Sequence, residues 1–333
     1  MSGDSVPGAV PAGAPGPHTA PVLALRSWLF VPGDSERKQE KALTGDADAV
    51  ILDLEDSVAL ARLPQARTCV SQLLRARAGS PGPQVWVRAN APSSGLFRED
   101  LDAVFAGGVP GGVVLPKISA AAEIVAAAQY LAMLETQVGG TPGRCRLLVI
   151  ATETPEGLLA LPQYPTALAG SHALTRLAGL TWGAEDLGAA VGALRRRDAT
   201  GRLTATFELA RTSCLLAAAA LGVQAIDGVY ADFSDAQGLK GELEDARRDG
   251  FSGKLAIHPG QIAAINAAFV PTAAEREHAQ RVVAAFATAP EAGVVSLEGR
   301  MIDRPHLLQA QRVLAAVERT HRTPAAAQRS KSS

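Results

Sequence analysis

Eight short apolar runs, rich in β-branched residues, punctuate this chain, each followed by a polar turn and then a stretch with helical punctuation. They are Trp28–Val31, Ala49–Leu54, Gln84–Arg88, Gly112–Leu115, Leu147–Thr152, Gly179–Trp182, Ala225–Tyr230 and Lys254–Ile257. Near-continuous apolarity is the pattern of strands covered on both faces, as in a parallel sheet. Between the runs, Asp34 or Ser35 is placed to cap a first helix that Gly45 ends. Ser119 is placed to cap an Ala-rich helix running to about Val138 before Gly139-Gly140, and Phe207–Ala220 stops at Gly222. Strands alternating with helices define the α/β class, and eight such units predict a closed (β/α)8 TIM barrel. An open doubly wound sheet is the competing topology, but its Gly-rich phosphate fingerprint is missing.

The chain has 333 residues, enough for a barrel domain over 23–270 with a C-terminal helical appendage over 271–322. In the appendage, helical stretches such as Ala273–Ala287 flank a strand-like or looped piece, Val294–Asp303, too small to be an independent domain. Residues 1–22 are rich in Pro, Gly and Ala and read as a disordered tail, without the charged and apolar segments of a signal peptide. Residues 323–333 read as a second tail. A formal net charge of −1 gives no global field for nucleic acid or anionic lipid, and Arg195-Arg196-Arg197 reads as a solvated face. No stretch is long and apolar enough to span a membrane as a helix. Cys69, Cys145 and Cys214 are odd in number and without a C-x-x-C. That argues against a disulfide framework or a zinc site and fits a cytoplasmic location.

In a parallel barrel the chemistry collects at the C-terminal ends of the strands. Strand two ends in Asp53-Leu54-Glu55-Asp56, strand three in Arg88-Ala89-Asn90 and strand four in Pro116-Lys117. Strand five ends in Glu153-Thr154-Pro155, strand six in Gly183-Ala184-Glu185-Asp186 and strand eight in His258-Pro259-Gly260-Gln261. Converging carboxylates with little competing His or Cys describe a hard-cation site suited to Mg²⁺ or Mn²⁺. Each residue alone also has a structural reading. Asp53 and Glu55 can be solvated caps, Glu153 a cap ahead of Pro155, Asp186 a partner of a helix dipole and Arg88 a salt-bridge residue. For His258 a structural or thioester-contacting role is favoured over metal ligation.

These segments resemble, in order, those of the HpcH/HpaI aldolase and citrate lyase β-subunit family. They are RSWLFVPG (Arg26–Gly33), ILDLEDSV (Ile51–Val58), VRAN (Val87–Asn90), VVLPK (Val113–Lys117), ATETPEG (Ala151–Gly157), WGAEDL (Trp182–Leu187), DGVYADFSDAQGL (Asp227–Leu239) and AIHPGQI (Ala256–Ile262). The resemblance implies a barrel enzyme that cleaves or forms a C–C bond next to a thioester, with Mg²⁺ as cofactor. Its substrates would be malyl-, citramalyl- or citryl-type esters of coenzyme A or of an acyl-carrier protein, and a 2-oxo acid. Glu153 and Asp186 fall on the family's Mg²⁺ ligands, Arg88 on its substrate-carboxylate contact and Glu55 on another residue beside the substrate. The turn Gly183-Ala184-Glu185-Asp186 would offer backbone amides to the oxo-acid carboxylate. Arg26 and the His258-Pro259 turn fall where relatives approach the CoA or carrier arm. Asp303 matches an Asp that relatives project into a neighbouring subunit's site, which implies a homotrimer or a multiple of it. There Asp303 would act as general acid/base. In one departure, Leu63 stands near the position of a Lys that relatives carry. Thioester hydrolysis, aldol cleavage of free oxo acids, or service as an acyl-carrier-dependent subunit of a larger complex are the alternative activities.

Overall fold

The computed structural model describes residues 25–322, so the tails read at 1–22 and 323–333 lie outside the described residues. Eight parallel strands close into a barrel in sequence order. They are β1 (Ser27–Pro32), β2 (Ala49–Asp53), β3 (Gln84–Arg88), β4 (Gly112–Leu115), β5 (Arg146–Ile150), β6 (Leu177–Thr181), β7 (Gln224–Asp227) and β8 (Gly253–Ala256). The ring shuts where Ser27, Trp28 and Leu29 of β1 pair with Lys254, Leu255 and Ala256 of β8. Each predicted strand is present, but several end earlier than the apolar pattern suggests. Ala151, Thr152 and Trp182 lie beyond their strands and are nonetheless buried. Apolarity there reports burial at the barrel mouth, where the chain has left the ladder to aim side chains inward.

Two-residue alternation divides the strands between two cores. Ala49 and Ile51 of β2 join Trp28, Trp86, Val114 and Leu148 inside the barrel. Val50 and Leu52 face the surrounding helices. Trp28 and Trp86 meet edge to face, ring centroids 4.8 Å apart, and fill the barrel floor. Gly112 makes room for this packing, since a Cβ there would sit 2.2 Å from a Trp86 ring carbon.

Helix punctuation holds with one correction. Ser35 occupies the N-cap position of helix Glu36–Leu43 without a side-chain cap hydrogen bond, and Gly222, at φ 69°, closes helix Ala205–Leu221. Ser119 does not cap the Ala-rich helix, Ala121–Gln137; Ala120 holds that position. The Glu123 carboxylate instead accepts the amides of Ser119 at 2.6 Å and Ala120 at 3.2 Å. A side chain from the first turn thus reaches back to the amide of the N-cap residue, the reciprocal half of a capping box.

After the barrel, helix Ala273–Ala287 leads into a hairpin of β9 (Val294–Leu297) and β10 (Arg300–Asp303), then helix Arg304–Arg322. Glu298 and Gly299, at φ 53° and 75°, make the two-residue turn that right-twisted strands favour. Ala279, Val282, Phe286, Ile302 and Ala310 form a small core of their own. Among the described residues no helix is long and apolar enough to cross a membrane.

Candidate active site

The strand-end residues gather at one mouth of the barrel. A cavity of about 320 Å³ opens there, lined by Asp53, Arg88, Glu153, Gly183, Glu185 and Asp186 among others. Ala184 lines it too, and Glu55 reaches it through Arg88 and Lys117.

Asp53 and Arg88 are register partners across β2 and β3, so their side chains leave the barrel side by side. Arg88 Nε donates to Asp53 Oδ1 at 2.6 Å and Nη2 to Oδ2 at 2.7 Å, a two-point contact. Burial pushes the Asp53 carboxyl up, but Arg88 and the amides of Ser57 and Glu55 outweigh burial and hold it below the ordinary carboxylate range. Asp53 is therefore a buried anchor for Arg88, not a solvated cap. Arg88 Nη1 remains turned toward Glu55 Oε2 at 3.0 Å and Asp56 Oδ2 at 3.3 Å. The Phe30 ring lies 4.8 Å from the guanidinium carbon and closes its other side.

Glu153 is buried at the end of β5. Its Oε2 accepts the Lys117 amide at 2.6 Å, and Thr154, not Glu153, caps the following helix by accepting from Gly157 N at 3.0 Å. Burial pushes the Glu153 carboxyl to about 8, with Asp186 and Glu55 adding to the rise and Arg88 opposing it. Glu55 is pushed to about 7, again chiefly by burial, against the pull of Arg88 and Lys117. Its Oε2 is buried without an aligned hydrogen bond, although Arg88 Nη1 lies within ion-pair distance. Lys117, which sequence reasoning placed only at a strand end, has a central position. Its ammonium touches Glu55, lies 2.9 Å from Asp56 Oδ1 and 3.4 Å from Asp186 Oδ1.

Asp186 sits in the first turn of helix Ala184–Ala190, with Gly183 as its N-cap. A Cβ on Gly183 would lie 2.7 Å from Glu153 Cγ, so only glycine lets this turn close over that carboxylate. The Gly183 amide donates to Thr152 Oγ1 at 3.3 Å. Glu185 forms a half-exposed ion pair with Arg196.

A second cavity of about 660 Å³ adjoins the first, sharing Phe30, Ser57 and Ile257. Arg37, Lys38 and Lys41 line it opposite His258 and Pro259. His258 has a structural task as well: Nδ1 accepts the Gly260 amide at 3.1 Å, and the ring stacks on Phe233 with centroids 5.0 Å apart. Arg26 lies elsewhere. It precedes β1 at the opposite end of the barrel, held by Asp48 Oδ2 at 2.9 Å and Oδ1 at 2.8 Å. That placement sets Arg26 apart from His258 and Pro259 at the mouth. Leu63 is a buried packing residue at the start of helix Leu63–Ala76. Asp303, at the end of β10, contacts His306 within the appendage and does not join the mouth of its own chain.

Among the described residues no three acidic, His or Cys side chains converge as a ready metal cage. The mouth nonetheless suits a hard divalent ion on its chemistry. Its donors are carboxylate oxygens, and Asp53, Glu55, Asp56, Glu153 and Asp186 face two cations, Arg88 and Lys117. Glu153 in particular is a buried carboxylate short of positive charge.

The fold and this mouth define a (β/α)8-barrel enzyme with carboxylates and an anchored arginine gathered at the strand ends. The chain belongs to the HpcH/HpaI aldolase/citrate lyase family, whose model matches residues 26–259. It is 36% identical over 296 residues to a (3S)-malyl-CoA thioesterase of Cereibacter sphaeroides, covering 88% of this chain and 95% of the relative. It is 37% identical over 295 residues to the citrate lyase subunit beta of Escherichia coli, covering 88% and 93%. The crystal structure of CitE from Mycobacterium tuberculosis in complex with magnesium, acetoacetate and coenzyme A matches with a TM-score of 0.69 at 33% identity. That match covers 89% of this chain and 98% of the other.

Proposed function

We propose that this protein is a Mg²⁺-dependent carbon–carbon lyase. It cleaves or forms a malyl-, citramalyl- or citryl-type 3-hydroxyacyl thioester, the products of cleavage being an acyl thioester and a 2-oxo acid. The observation that carries the reading is that Arg88, Glu153 and Asp186 line one cavity at the barrel mouth. Glu153 and Asp186 would hold the ion, Mg²⁺ or in its place Mn²⁺. When bound it supplies Lewis-acid polarisation at oxygen, worth several kcal/mol. The magnesium and acetoacetate in the Mycobacterium tuberculosis relative support this reading.

Arg88 binds the substrate carboxylate or the charge that develops on the thioester oxygen, through the donors Asp53 leaves it. Glu55, whose carboxyl burial pushes up to about 7 and which is in contact with Lys117 and Arg88, can hold or release a proton at its Oε atoms beside the substrate. Asp303 is assigned the proton exchange at the carbon next to the thioester, delivered from a neighbouring subunit of a homotrimer or its multiple. The adjoining cavity with Arg37, Lys38 and Lys41 suits the phosphates of coenzyme A, so CoA is favoured as carrier over a carrier protein. Buried free thiols at Cys69, Cys145 and Cys214 suit a reducing cytoplasm.

The likeness to a malyl-CoA thioesterase favours a second reading, hydrolysis of the same esters. Purified protein with Mg²⁺ and a panel of malyl-, citramalyl- and citryl-CoA separates the two. Oxo acid released with an acyl-CoA supports the lyase; free CoA with the intact hydroxy acid supports the hydrolase. Activity undiminished by EDTA refutes the metal-dependent scheme.

A further inference from the structure

Lys117 follows β4 with φ 52°, a left-handed conformation that costs a residue with a side chain. In that conformation one residue serves two directions at once. Its amide donates to Glu153 Oε2 at 2.6 Å, while its ammonium reaches Glu55, Asp56 at 2.9 Å and Asp186 at 3.4 Å. Glycine would accept the same backbone without strain, yet a lysine stands here, so the ammonium is the part of the residue that needs explaining. The contact with Asp186 is the longest of the three and both its side chains are about a third exposed, at 28% and 32%. It is the contact that yields most readily, and the other two would keep the ammonium in the mouth once it is lost.

We propose that Lys117 is a positioning residue at the Glu153/Asp186 pair, its amide orienting Glu153 and its ammonium standing at Asp186 as the counter-cation that a divalent ion displaces. This rests on the reading of Glu153 and Asp186 as metal ligands. It has a consequence opposite in sign to ordinary damage: removing the ammonium tightens divalent binding, because a positive charge no longer competes for Asp186 or repels the incoming ion.

Mn²⁺ titrations of the full-length protein, read by the electron paramagnetic resonance of free Mn²⁺, test it without recourse to turnover. Lys117→Met removes the charge at similar side-chain length. Lys117→Gly removes it while relieving the backbone and is the variant least exposed to misfolding. Lys117→Arg keeps the charge. The Mn²⁺ Kd should fall by about tenfold in the Met and Gly variants and change little in the Arg variant. The metal-free Met variant should also melt earlier than the natural protein and recover on adding Mn²⁺. Unchanged or weaker Mn²⁺ binding in both the Met and Gly variants, with the natural protein binding normally, overturns the role of Lys117 alone. Failure of the natural protein and every variant to bind Mn²⁺ overturns the metal reading, and this inference with it.

Discussion

Glu153→Gln should stabilise the protein in the absence of divalent ions and forfeit the stabilisation that such ions bring. Burial raises the Glu153 carboxyl, Arg88 and the Lys117 amide pull it back, and Asp186 and Glu55 raise it again, for a net change from 4.5 to about 8. Between those values the folded chain holds a proton that the unfolded chain has released, so stability falls as pH rises across that window. Below the window both states are neutral at this group and nothing is lost. At pH 7 the accumulated penalty is at most about 3 kcal/mol, at about 1.4 kcal/mol per pH unit above the unfolded value. Glutamine is neutral throughout and keeps an oxygen for the Lys117 amide, so it removes the penalty without removing that contact. Urea unfolding at about pH 5 and about pH 8, in EDTA and in Mg²⁺, measures it. The variant should exceed the natural protein in EDTA at the higher pH, by clearly more than at the lower, and gain nothing from Mg²⁺. An equal loss of stability at both pH values in EDTA would refute the electrostatic account of this site.

Arg88→Lys cannot keep the two-point contact with Asp53, so stability should drop by about 2–3 kcal/mol and oxo-acid release by about 100-fold. Denaturant melts and steady-state kinetics check both, and full activity would remove Arg88 from the chemistry. Asp303→Asn should leave circular dichroism and Mn²⁺ affinity unchanged while lowering turnover by about 100-fold. Undiminished turnover would exclude Asp303. Gly112→Ala drives a methyl into the Trp86 ring and should cost about 3 kcal/mol or more in a thermal melt, because the floor of the barrel has no slack to absorb it. A melt like that of the natural protein would show that Trp86 repacks freely.

The number and order of the strands are legible in the sequence because both faces of each are buried, so apolarity runs through every one. Where they stop is less legible, since Thr152 and Trp182 stay buried after leaving the ladder. The identity of the mouth acids is also legible, as polar residues closing apolar runs. What they do to one another is not. Nothing in Asp53-Leu54-Glu55-Asp56 tells which carboxylate takes the fork of Arg88; register across β2 and β3 decides that. Lys117 is visible at the end of VVLPK, but its left-handed backbone, and thus its double engagement, depends on how the chain turns after β4. The end of the barrel at which Arg26 stands is not legible from the motif, because RSWLFVPG runs the length of β1 and its first and last residues lie at opposite ends of the barrel.

The turn carrying Asp186 raises a different question, since a helix as short as Ala184–Ala190 has little hold of its own. The hold comes from behind. Trp182 Nε1 donates to Asp227 Oδ1 at 2.7 Å, and Asp227 is bound by its register partner Lys254 at 2.7 Å and by Arg211 at 3.2 Å. Lys254, fully buried, also reaches Glu242 at 2.6 Å on the helix Ala236–Asp249. Loss of one member would unbalance the buried charges in the wall of the barrel, at a cost of about 3 kcal/mol. The indole, wedged against Gly228 and pinned by Asp227, therefore cannot swing without breaking that network, and the residues that follow it inherit its position. Ion pairs sealed between strand and helix thus hold steady a mouth whose own carboxylates repel one another.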